Sequence, residues 1–351
     1  MSRPGDRYSQ LESAIMGGVM RAWRTDGDGH RSLRLEEIPL PVAGAQEALV
    51  RVRACGVCRT DLHVTDGDLP AHRSPVTPGH EVVGDVVDVG SEVRELTPGD
   101  RVGIAWLRQT CGTCRWCRRG AENLCLASRY TGWDEDGGYA EYAVVPAAYA
   151  YRLPDEVPHV QLAPLLCAGI IGYRALRRAM VPPGGRLGIY GFGASAHLTA
   201  QIALAQGADV HVLTRDPAAR RLALDLGATS AGAADDEPPV QLDSAIVFAP
   251  AGGLVPVALA ALDQGGTLAV AGIHLSHIPG LDYQRHLFRE RTLTSVTSNT
   301  RADGEELLAL AGRIGLRATV TPYPFERAAD ALHDLSQDKV SGAAVLVMDP
   351  N

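Results

Sequence analysis

The stretch CGTCRWCRRGAENLC places Cys111, Cys114, Cys117 and Cys125 in a C-x2-C-x2-C-x7-C pattern on a Gly-containing loop, and no other feature of the 351-residue chain limits its folding so tightly. Four thiolates at this spacing can close a tetrahedron around one Zn²⁺ with no vacant position, which is the arrangement of a structural site. Two disulfides are the competing reading, and they need an oxidising compartment. The first twenty residues, MSRPGDRYSQLESAIMGGVM, carry acidic and polar residues and only a short apolar run, so nothing in them predicts export. An iron–sulfur cluster is the other use of such a set. The remaining cysteines, Cys55, Cys58 and Cys167, sit beside residues that suit a second metal centre.

A chain of this length exceeds one ordinary core and accommodates two domains, and 46% hydrophobic with 21% charged residues supplies apolar surface for both. Net charge -8, from 33 basic against 41 acidic residues, predicts a surface that repels phosphate backbones, so a nucleic-acid partner is not expected. The longest apolar candidate, Leu162 to Ile171, is broken by Pro164 and holds Cys167, so no membrane span is expected either. The reducing cytoplasm is the compartment these features predict.

The first half is rich in short alternating or β-branched runs, such as ALVRVRACGV and EVVGDVVDVG, with Gly and Pro at turn spacing, which predicts a β-rich, barrel-like domain. From about Gly169 the character changes. RLGIYG, DVHVLTR, DSAIVFAP and GTLAVAGI are short apolar strands, each followed by an Ala/Leu-rich stretch of helical period, and that alternation predicts a parallel sheet. After about Asn299 come a helix through RADGEELLALAGRIG, a second through FERAADALHDL and a closing strand AAVLVMD, expected to fold back onto the first domain. The resulting division is an α/β chain with residues 1-168 and 300-351 in one domain and 169-299 in the other.

RLGIYG runs directly into GFGASA and HLTAQIALAQG, so Gly191, Gly193 and Ala196 form a G-x-G-x-x-A turn between a strand and a helix. In that context Gly191 permits the tight turn, Gly193 lets a pyrophosphate approach the backbone, and the helix N-terminus offers unpaired N–H groups to its charge. A turn needed only for strand–helix packing is the blander alternative. The next strand ends VHVLTR, where an acidic residue would bind the ribose hydroxyls of NAD. Thr214 stands there instead and Arg215 follows, so the repulsion is absent and a counter-charge is available for a 2′-phosphate; NADP is favoured over NAD. Rescue of NAD by Asp216, with Arg215 as a solvated surface residue, stays open.

The second metal centre draws on distant segments. CGVCRTDLHV supplies Cys58, Arg59, Thr60, Asp61 and His63, PGHEVVGDVVDVGSEV supplies His80 and Glu81, and APLLCAG supplies Cys167. Two thiolates and one imidazole leave a tetrahedral position open for water or substrate, as a catalytic zinc requires. Each residue alone has an ordinary reading, Cys167 as inert core and His80 as a turn histidine. Their joint presence beside the four-cysteine lobe and the dinucleotide turn favours the metal.

With these motifs in order, the chain resembles a zinc-dependent alcohol dehydrogenase of the medium-chain dehydrogenase/reductase superfamily, from about Met20 to Val347. GHE-x2-G-x5-G-x2-V (Gly79, His80, Glu81, Gly84, Gly90, Val93) is the most specific element, and DGGYAEYAVVP (Asp136 to Pro146) matches as well. The resemblance implies a GroES-like β-rich catalytic domain and a Rossmann doubly wound parallel-sheet domain. It implies Cys58, His80 and Cys167 as catalytic zinc ligands, Cys111, Cys114, Cys117 and Cys125 as the structural lobe, hence two zinc ions per chain, and Cys55 as a packed thiol. Thr60 would pass the alcohol proton through the cofactor ribose to His63 near solvent, Asp61 would fix the tautomer of His80, and Glu81 would lie just behind the metal. The expected reaction is reversible hydride transfer between a primary or secondary alcohol and NAD(P), in a homodimer or homotetramer.

Two departures qualify the likeness. Relatives often grip the pyrophosphate with an arginine near the C-terminus, where this chain reads KVSGAAVLV with Ala343 and Ala344; Arg59 is the expected substitute, a surface ion pair its blander role. The leading extension to Val19 is not required by the family core and is read as a tail or an oligomer contact. A zinc-free quinone or enone reductase would lack both cysteine sets, a polyol dehydrogenase would more often carry Glu at position 167, and a non-catalytic NADPH-binding scaffold would not retain Cys58, Thr60, His63, His80 and Cys167 together. Trp106, Tyr130, Trp133 and Ile273 are expected to line the pocket, which suits an alcohol or aldehyde with an apolar tail.

Overall fold

Glu47–Val57 is buried at Ala48, Leu49, Val50 and Val52 and throughout its last four residues, so it can pair on both sides and pack on both faces. It is the centre of a seven-stranded sheet in a computed structural model that describes residues 18–29 and 32–348. The order is Val320–Pro324, Ala343–Val347, Glu47–Val57, Val82–Val89, Arg101–Ile104 and Ala150–Arg152, with Tyr142–Pro146 also pairing Glu47–Val57. All pairings in it are antiparallel except that of Val320–Pro324 with Ala343–Val347. The closing strand thus returns to the first sheet. Ala343 and Ala344 are buried there, and Ala344 sits opposite Val57. Of the leading extension, residues 1–17 lie outside the described residues.

The second sheet has six strands, all parallel: Ser230–Gly232, Asp209–Leu213, Arg186–Tyr190, Leu242–Val247, Leu262–Val270 and Thr292–Ser295. Counted from Arg186–Tyr190 the order is 3-2-1-4-5-6, the doubly wound dinucleotide arrangement, whose direction of winding reverses between strands 1 and 4. Gly191 stands at that reversal with φ +86, and a Cβ there would come 2.8 Å from the backbone nitrogen of Ala249, just past strand 4, so only glycine fits. The runs RLGIY and AIV are buried along almost their full length, as strands covered by helices on both faces must be.

The helix Arg301–Ile314 packs on Ala168–Ala179, with Leu307 inserted into the same core as Leu187, Ile189 and Leu198. That core also takes in Ala54, Val83 and Val345 of the antiparallel sheet, so the two sheets share apolar side chains through Leu162–Ala168. Among the described residues no helix is long and apolar enough to cross a membrane.

Candidate metal and dinucleotide site

Cys58 follows the central strand and caps the start of a short helix, Arg59–Thr65. Asp61 closes that start: its carboxylate accepts the Cys58 amide at 2.8 Å, the Gly79 amide at 3.1 Å, the Tyr139 hydroxyl at 3.1 Å and, at 3.1 Å, Nδ1 of His80. An ionised carboxylate only accepts, so His80 carries its hydrogen on Nδ1 and turns Nε2 away. Gly79, at φ +96, makes the bend that aims His80; a side chain there would collide with the Tyr139 ring and Cys55. Cys55 itself is fully buried between these groups, a packed thiol. The segment Ala163–Leu166 brings in Cys167 at the start of Ala168–Ala179.

The Cys58 and Cys167 sulfurs are 3.8 Å apart. Two thiolates at tetrahedral angles on zinc, with Zn–S about 2.3 Å, stand about 3.8 Å apart. Nε2 of His80 is buried and has no hydrogen-bond partner among the described residues, although a buried imidazole nitrogen without one is costly. Ligand atoms of Cys58, His80, Cys167 and Glu81 all lie within 4.8 Å of one another. Each observation fits a divalent cation between them. Cys58 is held well below the ordinary thiol range, first by its hydrogen bond with Cys167, and Cys167 is pushed up by the same bond, so the pair shares a proton that a cation would replace. Burial, then the neighbouring Cys58 charge, pushes the Glu81 carboxyl up.

Glu81, expected just behind the metal, belongs to the same group of donor atoms. Its carboxylate fills the space beside Gly56 that a side chain would occupy and comes within ligand reach of the other donors rather than only behind them. The adjacency to His80 was a visible signal; that both side chains of successive residues would reach one centre was not.

At the lobe, the four cysteine sulfurs also fall within 4.8 Å of one another, with Cys111 to Cys117 at 4.0 Å and Cys114 to Cys117 at 3.5 Å. The amides of Cys114 and Cys111 point at the sulfurs of Cys111 and Cys125. Backbone N–H groups of Thr113 and Cys114 bring the Cys111 thiol down to about 6, close to the charged form a metal needs. All seven cysteines are unpaired by disulfides.

Thr60 is buried with its hydroxyl 3.6 Å from the Cys58 sulfur, and His63 follows three residues later on the same helix face. Trp106 meets His80 edge-on at 5.0 Å and stacks with Tyr130 at 4.9 Å and Trp133 at 6.0 Å, so three of the four expected pocket residues are joined beside the candidate metal ligand. Ile273 is 59% exposed on the other half, next to His274, whose ring stacks on His63. Arg59 ion-pairs with Asp338 at the surface.

At the dinucleotide turn, Gly193 starts the helix Ala194–Ala205, and the position a Cβ would take there is open space; Ala196 is fully buried against the sheet. Beyond strand 2, Thr214 is buried and Arg215 exposed. Asp216 spends both carboxylate oxygens on the amides of Ala218 and Ala219, capping the helix Pro217–Asp225. His197, which sequence reading passed over, is fully buried: Nδ1 lies 3.2 Å from the Gly193 carbonyl and Nε2 accepts the Thr319 amide at 3.1 Å.

Residues 44–155 match the alcohol dehydrogenase GroES-like domain and residues 191–313 the zinc-binding dehydrogenase domain. The chain is 59% identical over 346 residues to "Probable alcohol dehydrogenase AdhA" of Mycobacterium tuberculosis, covering 96% of this chain and 100% of that one. It is 36% identical over 325 residues to an alcohol dehydrogenase of Geobacillus stearothermophilus, covering 90% and 96%. A solved cinnamyl alcohol dehydrogenase from Sorghum bicolor superposes with a TM-score of 0.85 at 29% identity, covering 94% of this chain and 97% of that one. With the two cysteine sets, the parallel sheet and these likenesses agreeing along almost its whole length, the chain belongs to the zinc-dependent alcohol dehydrogenases of the medium-chain dehydrogenase/reductase superfamily.

Proposed function

We propose that this alcohol dehydrogenase works with NADP(H) at a zinc ion held by Cys58, His80 and Cys167, with a second zinc in the Cys111, Cys114, Cys117 and Cys125 lobe. The observation that carries the reading is the 3.8 Å Cys58–Cys167 separation facing the unpartnered Nε2 of His80. When bound, zinc supplies a Lewis acid for the substrate oxygen and the nicotinamide supplies the partner in hydride transfer. The chain's own residues do the rest. Asp61 holds His80 in the tautomer that offers Nε2. Glu81 keeps its carboxyl beside the metal ligands, within reach of the same centre. Thr60 Oγ1 takes the proton of the substrate hydroxyl toward His63, and the Trp106, Tyr130 and Trp133 rings give the organic part of the substrate a dry apolar wall that keeps water from the reacting carbon. Aldehydes and ketones are reduced by the same groups in reverse.

For the cofactor, Gly191, Gly193 and Ala196 form the turn for the pyrophosphate, and Arg59 is the basic residue we assign to it from the catalytic side. Thr214 and Arg215 face the adenosine ribose. Asp216 already caps a helix, which supports a 2′-phosphate held by Arg215 over NAD held by a carboxylate. We divide the chain as 1-168 with 300-351 and 169-299, the strands of each sheet supporting the division while the packing of Arg301–Ile314 on Ala168–Ala179 favours a later second boundary. Cytoplasmic residence and a homodimer or homotetramer complete the reading on the strength of the resemblance.

The test is kcat/KM for NADPH and NADH with one simple aldehyde, before and after Arg215→Asp. Losing one charge-assisted contact and gaining a repulsion should cost NADPH on the order of 100-fold relative to NADH. An unchanged ratio removes Arg215 from the cofactor site.

A further inference from the structure

The rings beside the candidate metal ligand continue outward. Between centroids, Trp106 is 5.0 Å from His80, and Trp133 is 6.0 Å from Trp106 and 5.8 Å from Tyr130. His72 then stacks on Trp133 at 4.0 Å with 21° between planes, closer than either inner ring. With its side chain 49% exposed, His72 ends the series at the solvent. It belongs to the segment after the helix Arg59–Thr65, which is fastened residue by residue to the turn that carries Trp133. The Trp133 indole N–H donates to the Pro70 carbonyl at 3.0 Å. His72 Nδ1 is 2.8 Å from Asp134 Oδ1, and Arg73 reaches Glu135 at 2.8 Å and Asp136 at 3.1 Å. Asp134 also accepts the Tyr130 amide at 2.7 Å, so one carboxylate orients the His72 ring and holds the backbone of a second wall residue.

We propose that His72 is a positioning residue that sets substrate choice, pinning the Trp133 indole so that the outer part of the pocket wall is in place before the alcohol arrives. The inference rests on the reading of Trp106, Tyr130 and Trp133 as that wall, proposed above. The order of the rings decides which substrates feel His72. Trp106 touches a candidate metal ligand, so it meets the carbons next to the reacting oxygen, whereas Trp133 lies one ring further out and meets only a longer organic part. The three wall rings stand at 9° to 28° to one another, which makes a flat surface suited to an aryl body. An indole tied only through its N–H can swing about that bond, and a wall that must be ordered on binding loses part of the affinity it supplies. The face contact with His72 removes that freedom.

The experiment compares kcat/KM for benzyl alcohol and for ethanol in the zinc-loaded enzyme at saturating cofactor, as wild type, His72→Ala, His72→Phe, His72→Gln and Trp133→Ala. His72→Phe keeps a ring on Trp133 without the Asp134 bond, and His72→Gln keeps a polar group near Asp134 without the ring. The benzyl-to-ethanol ratio should fall on the order of tenfold in His72→Ala and His72→Gln, and stay within about twofold of wild type in His72→Phe. In protein labelled with fluorotryptophan, the Trp133 signal, identified by its absence in Trp133→Ala, should broaden in His72→Ala and stay sharp in His72→Phe. The exposed position of His72 lets these variants keep the fold. A ratio unchanged in His72→Ala while Trp133→Ala lowers it overturns the inference alone. A ratio lost in His72→Phe overturns it too, since the ring is then not what matters. If Trp133→Ala itself leaves the ratio unchanged, the wall reading falls and the inference with it.

Discussion

Asp61 has a 1% exposed side chain and answers four donors, two of them backbone amides of separate segments that carry Cys58 and His80. One buried carboxylate therefore sets the spacing of two of the proposed zinc ligands and the tautomer of one. Asparagine keeps the shape but turns an NH2 group toward two of those donors, leaving buried groups unmatched. We expect Asp61→Asn to weaken zinc binding at the Cys58, His80 and Cys167 site by about 10–100-fold while the lobe keeps its ion. Competition with a chromophoric chelator reads both sites, and equal retention at both would contradict the assignment. The Asp61 contact with His80 and the burial of Cys55 agree with what the family resemblance implied for CGVCRTDLH. The destination of Arg59 was less legible in the sequence, because its partner, Asp338, is 279 residues away and only the closed fold brings them together.

At the scale of elements, the helix Ala194–Ala205 is tied at its start to the crossover leading into Val320–Pro324. His197 makes the tie, with Gly193 on one side and Thr319 on the other. Accepting the Thr319 amide requires a neutral imidazole, and burial lowers the His197 pKa below its ordinary value. The unfolded chain takes up a proton near pH 6.5, at which the folded chain does not, so unfolding binds protons as pH falls. Stability is full above that value and declines below it, by at most about 1.4 kcal/mol per pH unit for this group. His211 and His159 are lowered by burial too and add to the slope. Thermal melts should fall between about pH 7.5 and pH 5.5. In His197→Gln they should start lower and fall less; an identical slope would exclude His197 as a source. The strand and helix order behind this was readable from apolar runs and turns. The tie was not, since a histidine at the fourth position of an Ala/Leu-rich helix carries no sign of the amide it will meet across 122 residues.

For the molecule as a whole, local pattern foretold each sheet because short buried strands and Gly turns are local features, and the meeting of the four lobe cysteines because they span one loop. What sequence could not show is closure between the halves. His274 meets His63 only when the parallel sheet is set against the antiparallel one, and Leu307 joins a core shared by both. The proposed metal centre belongs to this scale, because Cys58, His80 and Cys167 come from three segments and converge only in the finished fold. Anomalous diffraction at the zinc edge from crystals of the purified enzyme tests it most directly. The account predicts two peaks per chain. One lies about 2.3 Å from the sulfurs of Cys58 and Cys167 and about 2.0 Å from Nε2 of His80, and the other lies among the sulfurs of Cys111, Cys114, Cys117 and Cys125. A map with the lobe peak present and nothing between Cys58, His80 and Cys167 would contradict it.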